Sequence, residues 1–458
     1  MSRAWRRLSL IKPLTFVDEG LGNSSYLLDI GDGRAVVVDP ARDATPYLAA
    51  AERAGLTIAY TIETHLHADF LTGSRELAAR GATVLAPRAG GIEWPHLGFG
   101  HADELDLDGL RLRAVATPGH TPEHLCWLVC DGARPIALFS GGALLVDSVA
   151  RTDLIGPDQT EPLARALWRS LQERILTLPD DLPVYPTHGA GSFCSAPTDG
   201  ERTTTIGRER AANPLLAVDD EDIFVATLLA GYGSYPPYFL QLRERNRRGP
   251  DVLGSPFPPL PTLHIDDVCR YLADGATLVD ARPLDAWAAA HVPGAISIML
   301  RPQFGTWLGW LVPNDRPLVL LLDPGQDGVE LVRQMRTIGY DQVAGTVAGG
   351  ITALRAAGLP VTSTELLDAA RLDRPVIDVR QDNEHAAGHI PGALHLELGE
   401  IAQCSLDLPA GALAVMCGHG ERAATAASIL ERAGRCDVAV VIGGPEEWAE
   451  GGRTLPVV

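Results

Sequence analysis

Leu278-Val279-Asp280-Ala281-Arg282, followed by Ala290-His291-Val292-Pro293-Gly294-Ala295, returns as Val376-Ile377-Asp378-Val379-Arg380, followed by Gly388-His389-Ile390-Pro391-Gly392-Ala393. Asp280 thus recurs as Asp378 and His291 as His389, an offset of 98 residues. Further on, Val347-Ala348-Gly349-Gly350 recurs as Val441-Ile442-Gly443-Gly444, now at an offset of 94. A period of that size means one architectural unit used twice. In each copy, short aliphatic runs (317–322 and 413–416) alternate with amphipathic stretches (329–338 and 423–433). That alternation predicts a parallel sheet covered by helices.

Working outward, the Pro- and Gly-rich run Gly249-Pro250-Asp251-Val252-Leu253-Gly254-Ser255-Pro256-Phe257-Pro258-Pro259-Leu260-Pro261 favours extended chain and reads as a linker, 249–261. It separates an upstream domain, 1–248, from two repeats at 262–360 and 361–458. Upstream, strands are predicted at 25–28, 35–38, 58–61, 112–116, 136–139 and 184–185. Helices are predicted at 44–54 and 161–177, with a helical region over 203–247 interrupted by Pro236 and Pro237.

Three domains suit a chain of 458 residues. With 38 Lys and Arg against 58 Asp and Glu, the net charge is −20, which argues against nucleic acid or anionic lipid as the main partner. No apolar run approaches the ~20 residues of a membrane helix. The basic N-terminus (Arg3, Arg6, Arg7) lacks the long apolar segment of a secretory signal. Seven cysteines with no C-x-x-C pair read as reduced thiols, so a cytoplasmic protein is expected.

Four histidines follow predicted strands: His65 and His67 in Thr64-His65-Leu66-His67-Ala68-Asp69, His120 in Thr117-Pro118-Gly119-His120-Thr121, and His188 in Pro186-Thr187-His188-Gly189-Ala190-Gly191-Ser192. Two histidines at i and i+2 can face one ion, with Asp69 as a third donor or as a support for a ligand. His96, His101 and His124 lack such context and read as structural or exposed.

On these motifs, with Asn23-Ser24-Ser25-Tyr26-Leu27, Asp39-Pro40 and Arg151-Thr152-Asp153-Leu154, the first 250 residues resemble the metallo-β-lactamase fold and its persulfide dioxygenase branch. Glu209-Arg210, Asn213-Pro214, Tyr238-Phe239 and Asn246-Arg247 extend the likeness. The resemblance implies an αββα sandwich and a mononuclear iron that oxidises a thiol persulfide with O₂. It implies His65 and His120 as iron ligands, with His67, Asp69 and His188 as further candidates. The family's third ligand, an Asp, falls on Gly142, and its last motif histidine on Phe70. Glu123 and His124 also depart from the family's run after Pro-Gly-His-Thr. Without the carboxylate, iron is expected to bind weakly or not at all, with zinc on His65, His67 and His120 as the other outcome. Asp69, Asp147 or water are the substitute ligands if dioxygenase activity survives.

In the second repeat, the run Leu413–Met416 leads into Cys417-Gly418-His419-Gly420-Glu421-Arg422 ahead of a helix. There a thiol meets backbone N–H groups and the positive helix end, both favouring thiolate, and Arg422 is expected to add a cation. Asp378 and Arg380, Gly388-His389-Ile390-Pro391-Gly392-Ala393 and this loop resemble the rhodanese family. The resemblance implies a sulfurtransferase in which Cys417 carries sulfane sulfur as a persulfide, with Gly418, His419, Gly420 and Glu421 forming the persulfide loop. Glu421 is expected to disfavour thiosulfate and favour a thiol persulfide. Applying the 94-residue offset puts Asp323 and Gly328 in place of Cys417 and Arg422, so repeat 262–360 reads as inactive, with Asp280, Arg282 and His291 maintaining the fold. Cys126, Cys130, Cys194, Cys269, Cys404 and Cys436 read as structural.

The expectation is therefore an α/β multidomain chain: an αββα metallo-β-lactamase sandwich, then two rhodanese-like α/β domains with parallel sheets. Its implied partners are a low-molecular-weight thiol persulfide, sulfite and thiosulfate, in a chain that can form homo-oligomers. The competing readings are a working dioxygenase, a zinc hydrolase, and a non-catalytic persulfide-binding scaffold.

Overall fold

The computed structural model describes residues 12–194, 200–404, 408–450 and 453–456. The chain divides into two compact units, one ending at Pro258 and taking in Arg336–Gly339, the other holding the remainder from Pro259.

Period-two apolar patterning builds the first unit. Along Asn23–Gly31 and Arg34–Val38, Tyr26, Leu28, Val36 and Val38 pack into one core, while Leu27, Ala35 and Val37 pack into another on the opposite face. Leu125–Asp131 does the same, sending Leu125, Trp127 and Val129 one way and Cys126, Leu128 and Cys130 the other. Strands apolar on both faces must be covered on both faces. Two six-stranded sheets therefore stack on a shared core, each with helices outside. Thr45–Ala54 covers the first sheet; Pro157–Ser170 and Glu221–Ala230 cover the second.

The helical region expected at 203–247 resolves into Ile206–Ala212, Glu221–Ala230 and Phe239–Arg248, preceded by a short strand, Thr204–Thr205, that pairs with Pro183–Pro186. Local periodicity could not show that edge pairing.

The second unit holds two five-stranded sheets whose paired strands all run parallel. Their orders correspond strand for strand. Thr262–Leu263, Val343–Val347, Leu318–Leu321, Thr277–Asp280 and Ile296–Ser297 match Leu366–Asp368, Val438–Ile442, Leu413–Met416, Val376–Asp378 and Leu394–His395. The recurring Asp-x-Arg is a buried brace. Arg282 reaches Asp280 at 2.6 Å and donates to the Ala290 carbonyl at 2.7 Å; Arg380 reaches Asp378 at 2.7 Å and donates to the Gly388 carbonyl at 2.7 Å. Each brace ties a strand end to the following loop. Among the described residues no helix is long and apolar enough to cross a membrane.

Asp280→Ala strands the Arg282 guanidinium in the interior. It is expected to destabilise the second unit by about 3–5 kcal/mol, read as a lower urea midpoint for that unit's transition.

Candidate functional sites

The histidines of the first unit sit beyond the ends of Thr57–Ile62, Arg111–Ala116 and Pro183–Pro186, strands that finish at one edge of the sandwich. Asp39, just past Arg34–Val38, organises that edge. Buried and held at a positive φ of 47°, it accepts from the Thr64 N–H at 2.7 Å, the Thr64 hydroxyl at 2.8 Å and the Thr187 hydroxyl. Burial alone would raise its pKa, but the neighbouring His67 and these donors lower it, so it stays ionised.

Hydrogen-bond bookkeeping then fixes the imidazoles. The Thr64 hydroxyl spends its proton on Asp39, so at His65 Nδ1, 2.8 Å away, it accepts; His65 is protonated on Nδ1 and keeps its Nε2 lone pair. His188 Nδ1 donates to Asn23 Oδ1 at 2.9 Å, and His120 Nδ1 to the Arg151 carbonyl at 2.6 Å, which leaves the Nε2 atom of each facing the basin. Asn23 donates in turn to Asp69 at 2.6 Å. Burial first, then neighbouring imidazoles, push the His65 and His120 pKa values well below the ordinary histidine value. Both rings are neutral and competent to ligate.

The Nε2 atoms of His65 and His188 stand 3.4 Å apart. A proton on His188 Nε2, or a cation held by both rings, satisfies the His65 lone pair at that distance. The donor atoms fall into two sets sharing His188: His65, His67 and His188, and His120, His188 and Cys194, each within 4.8 Å. Anchored Nδ1 atoms with inward Nε2 atoms are the supports a metal-binding histidine needs, so the residues present fit a transition metal.

Several assignments change in three dimensions. His67 turns its Nε2 to Asp39 at 3.2 Å and Glu63 at 3.4 Å; burial opposes its charge, yet the two carboxylates push its pKa up to about 10. As an imidazolium it has no lone pair on that side, and it belongs to this acid pair as much as to the basin. Phe70 stacks on it at 4.2 Å. Asp69 supports His188, 3.4 Å from its Nδ1. Asp147 faces Arg208 at 3.7 Å and is no substitute ligand here. His124 lies inside the site with both nitrogens occupied, accepting from the Gly142 N–H at 2.9 Å and donating to Thr117 at 2.8 Å.

Cys194, read as structural, brings a thiol to the basin. Burial first, and then the Asp69 carboxylate, raise its pKa well above the ordinary thiol value. The signal available was its place six residues after His188. Beside the basin lies a cavity of about 260 Å³, lined by Arg151, Asp147, Phe193 and Tyr232 among others. Arg151 pairs with Asp153 at 2.6 Å and lies over the rings of Tyr232 and Tyr235.

In the second unit, Cys417 follows Leu413–Met416 and is buried, its Sγ accepting the Gly420 N–H at 3.1 Å just before helix Glu421–Arg432. Gly420 has φ 107°, a conformation that side chains rarely adopt. Arg422 is not the free cation expected from the sequence: Glu384 takes it in a bidentate pair at 2.6 and 2.7 Å. Burial alone would lower the Arg422 pKa, and the Glu384 carboxylate more than reverses this. In the first repeat the same loop is closed by Gln326, which accepts from the Asp323 N–H at 2.7 Å and donates to the Ala281 carbonyl at 2.9 Å.

A metallo-beta-lactamase superfamily model matches residues 18–188. A rhodanese-like domain model matches twice, at 265–357 and 362–451. The mitochondrial persulfide dioxygenase ETHE1 of Homo sapiens is 32% identical over 203 residues, covering 43% of this chain and 73% of that protein. The chain belongs to the metallo-β-lactamase superfamily. It is a fusion of a persulfide dioxygenase-like domain of that superfamily with two rhodanese-like domains. A hydroxyacylglutathione hydrolase of Rhodopseudomonas palustris is 30% identical and covers 49% of this chain and 94% of that one. A metallo-beta-lactamase from Staphylococcus aureus of known crystal structure, 28% identical, superposes with a TM-score of 0.66 over 74% of this chain and 99% of that one. That coverage exceeds the upstream domain, so the likeness runs into the rhodanese half.

Gly142 is shaped to its neighbours, since a Cβ there would stand 2.7 Å from His120 Cδ2 and 3.1 Å from Ala150 Cβ. Gly142→Ala is expected to displace His120 and destabilise the first unit by about 1–3 kcal/mol, measured as a drop in its unfolding midpoint.

Proposed function

We propose that the chain is a sulfane-sulfur enzyme whose sulfurtransferase site is Cys417, with 361–458 the active rhodanese domain and 262–360 an inactive one. The observation that carries this is the Cys417 Sγ held by the Gly420 N–H at the head of a helix, in a loop whose duplicate has Asp323 in place of the thiol. The Cys417 thiolate attacks the outer sulfur of a thiol persulfide R–S–SH. The donor's S–S bond breaks as a new one forms, giving Cys417–S–SH and R–S⁻, which takes up a proton. Sulfite then attacks the terminal sulfur, giving thiosulfate and a proton and returning the Cys417 thiolate. No outside oxidant or reductant enters.

In the first domain His65, His120, His188 and Cys194 would hold a metal ion, which when bound supplies Lewis-acid or oxygen-activating chemistry. The chain's own residues set the neutral imidazoles and wall the adjoining cavity. Gly142 contributes no carboxylate, and this supports weakened or absent iron-dependent persulfide oxidation. A donor set of imidazoles and a thiol suits zinc, and supports a second reading as a zinc hydrolase of this fold.

Cys417→Ser is expected to abolish transfer of sulfur from glutathione persulfide to sulfite, and mass spectrometry should find the persulfide on the Cys417 peptide; full activity in the variant refutes the assignment. Metal analysis of the purified protein should find less than one iron per chain and no O₂ uptake with glutathione persulfide. Stoichiometric iron with brisk O₂ uptake refutes the weakened site, whereas zinc with thioester cleavage selects the hydrolase. His188→Ala should lower the metal content whichever ion is bound.

A further inference from the structure

Three imidazoles of the second repeat are layered face to face. His385 lies between His395, 4.0 Å away and 12° from parallel, and His389, 4.1 Å away and 15° from parallel. All three are half-buried, and the Nε2 atom of the middle ring is enclosed without a hydrogen-bond partner. The outer rings are tied to the backbone on either side of helix Asp382–Ala386. His395 Nε2 donates to the Arg380 carbonyl at 3.0 Å, just before that helix, and His389 Nδ1 donates to the His385 carbonyl at 3.2 Å, near its end. The stack thus grips a helix of five residues at both ends.

The gripped helix carries Glu384, the residue beside His385. Its carboxylate takes Arg422 at 2.6 and 2.7 Å and accepts the Gln381 N–H at 3.1 Å. Arg422 stands two residues after Gly420, whose N–H holds the Cys417 Sγ at 3.1 Å. The position of this one short helix therefore sets whether the cation beside the thiol loop is covered. Protons act on the stack directly, because neighbouring rings 4.0 and 4.1 Å apart repel when both are charged, and the middle ring has a neighbour on each face. Besides the outer imidazoles, His385 feels Asp378 and Arg380 from the strand before the helix. Asp382 lies 3.5 Å from His395 Nδ1, and Glu397 accepts the Asp382 N–H at 2.7 Å. Burial first, then His395 and His389, lower the His385 pKa; Asp378 opposes this and Arg380 adds to it. The unfolded chain takes up a proton at such a histidine near pH ~6.5 while the folded chain resists it, so the stack is at full strength above that pH and is weakened as the pH falls below it.

We propose that the His395–His385–His389 stack is a proton-sensitive clamp on the Cys417 site, holding Glu384 on Arg422 at neutral pH and releasing Arg422 to approaching anions when the stack takes up protons. The rings part as adjacent charges accumulate, helix Asp382–Ala386 loosens, and the bidentate pair opens. Sulfite, thiosulfate and other anionic partners then meet a free guanidinium near the thiol. Mild acid thus changes which substrates the site favours, in addition to lowering the thiolate fraction. The functional consequence rests on the sulfurtransferase reading above, whereas the clamp itself is read without turnover.

The test is alkylation of Cys417 in the full-length protein, followed on its peptide by mass spectrometry, with anionic iodoacetate and neutral iodoacetamide. The ratio of the two rates cancels the thiolate fraction, which falls with pH for both reagents alike. Between about pH 8 and about pH 5.5 the iodoacetate-to-iodoacetamide ratio should rise roughly 2–5-fold in the wild type, the scale of one part-exposed charge interaction. It should stay flat in His385→Phe, which keeps a stacking ring and takes no proton, with His395→Phe as a second variant if the first does not fold. Glu384→Gln, which uncovers Arg422 directly, should show the raised ratio already at neutral pH. A wild-type ratio that does not move with pH, a ratio that rises equally in both Phe variants, or a Glu384→Gln ratio equal to the wild type at neutral pH each overturns the clamp while leaving Cys417 chemistry standing. Activity that survives Cys417→Ser overturns the sulfurtransferase reading itself.

Discussion

The buried Asp39 carboxylate is the constraint on which the first domain turns. It takes hydrogen bonds from Thr64, two residues past Thr57–Ile62 in one sheet, and from Thr187, just past Pro183–Pro186 in the other, so it fastens the two layers at the edge where the histidines lie. By consuming the Thr64 proton it also dictates the tautomer of His65, two bonds further along the chain of donors. Its own left-handed backbone conformation costs about 1–3 kcal/mol, which the surrounding bonds must cover. The same contacts that close the fold thus orient the histidines of the candidate metal site.

The rhodanese half holds one sheet architecture twice with two different loops. Both copies keep the Asp-x-Arg brace and the same strand order, because these hold the parallel sheet together whatever the loop does. The loop itself was free to diverge. One copy closes it with Gln326; the other wraps it around a buried thiol and places the following helix against the first copy.

What could be read along the chain follows from what is local. The alternation of aliphatic runs with amphipathic stretches, the 98-residue offset and the strand-to-helix position of Cys417 depend on neighbours in sequence, and they predicted the two parallel sheets and the position of the thiol loop; the sandwich was implied by the resemblance that the histidine motifs carry. The convergence of His65, His120 and His188 at one edge was legible because each follows a strand. Partners that arrive from afar were not. Glu384 lies 38 residues from Arg422, and nothing in the loop's own sequence reveals that its cation is already committed. Asp39 and Glu63 claim His67, and Gly142 claims His124, through packing that spacing does not encode.

The amino-acid order by itself therefore determined the domain plan, the identity of the lone thiol among seven placed in a glycine nest at a helix head, and the absence of a carboxylate at Gly142. Only the tertiary structure decided which charges remain available. Protonation and ion pairing depend on distances and burial between residues remote in sequence, where a few ångströms turn a ligand into an imidazolium or a free arginine into a closed pair.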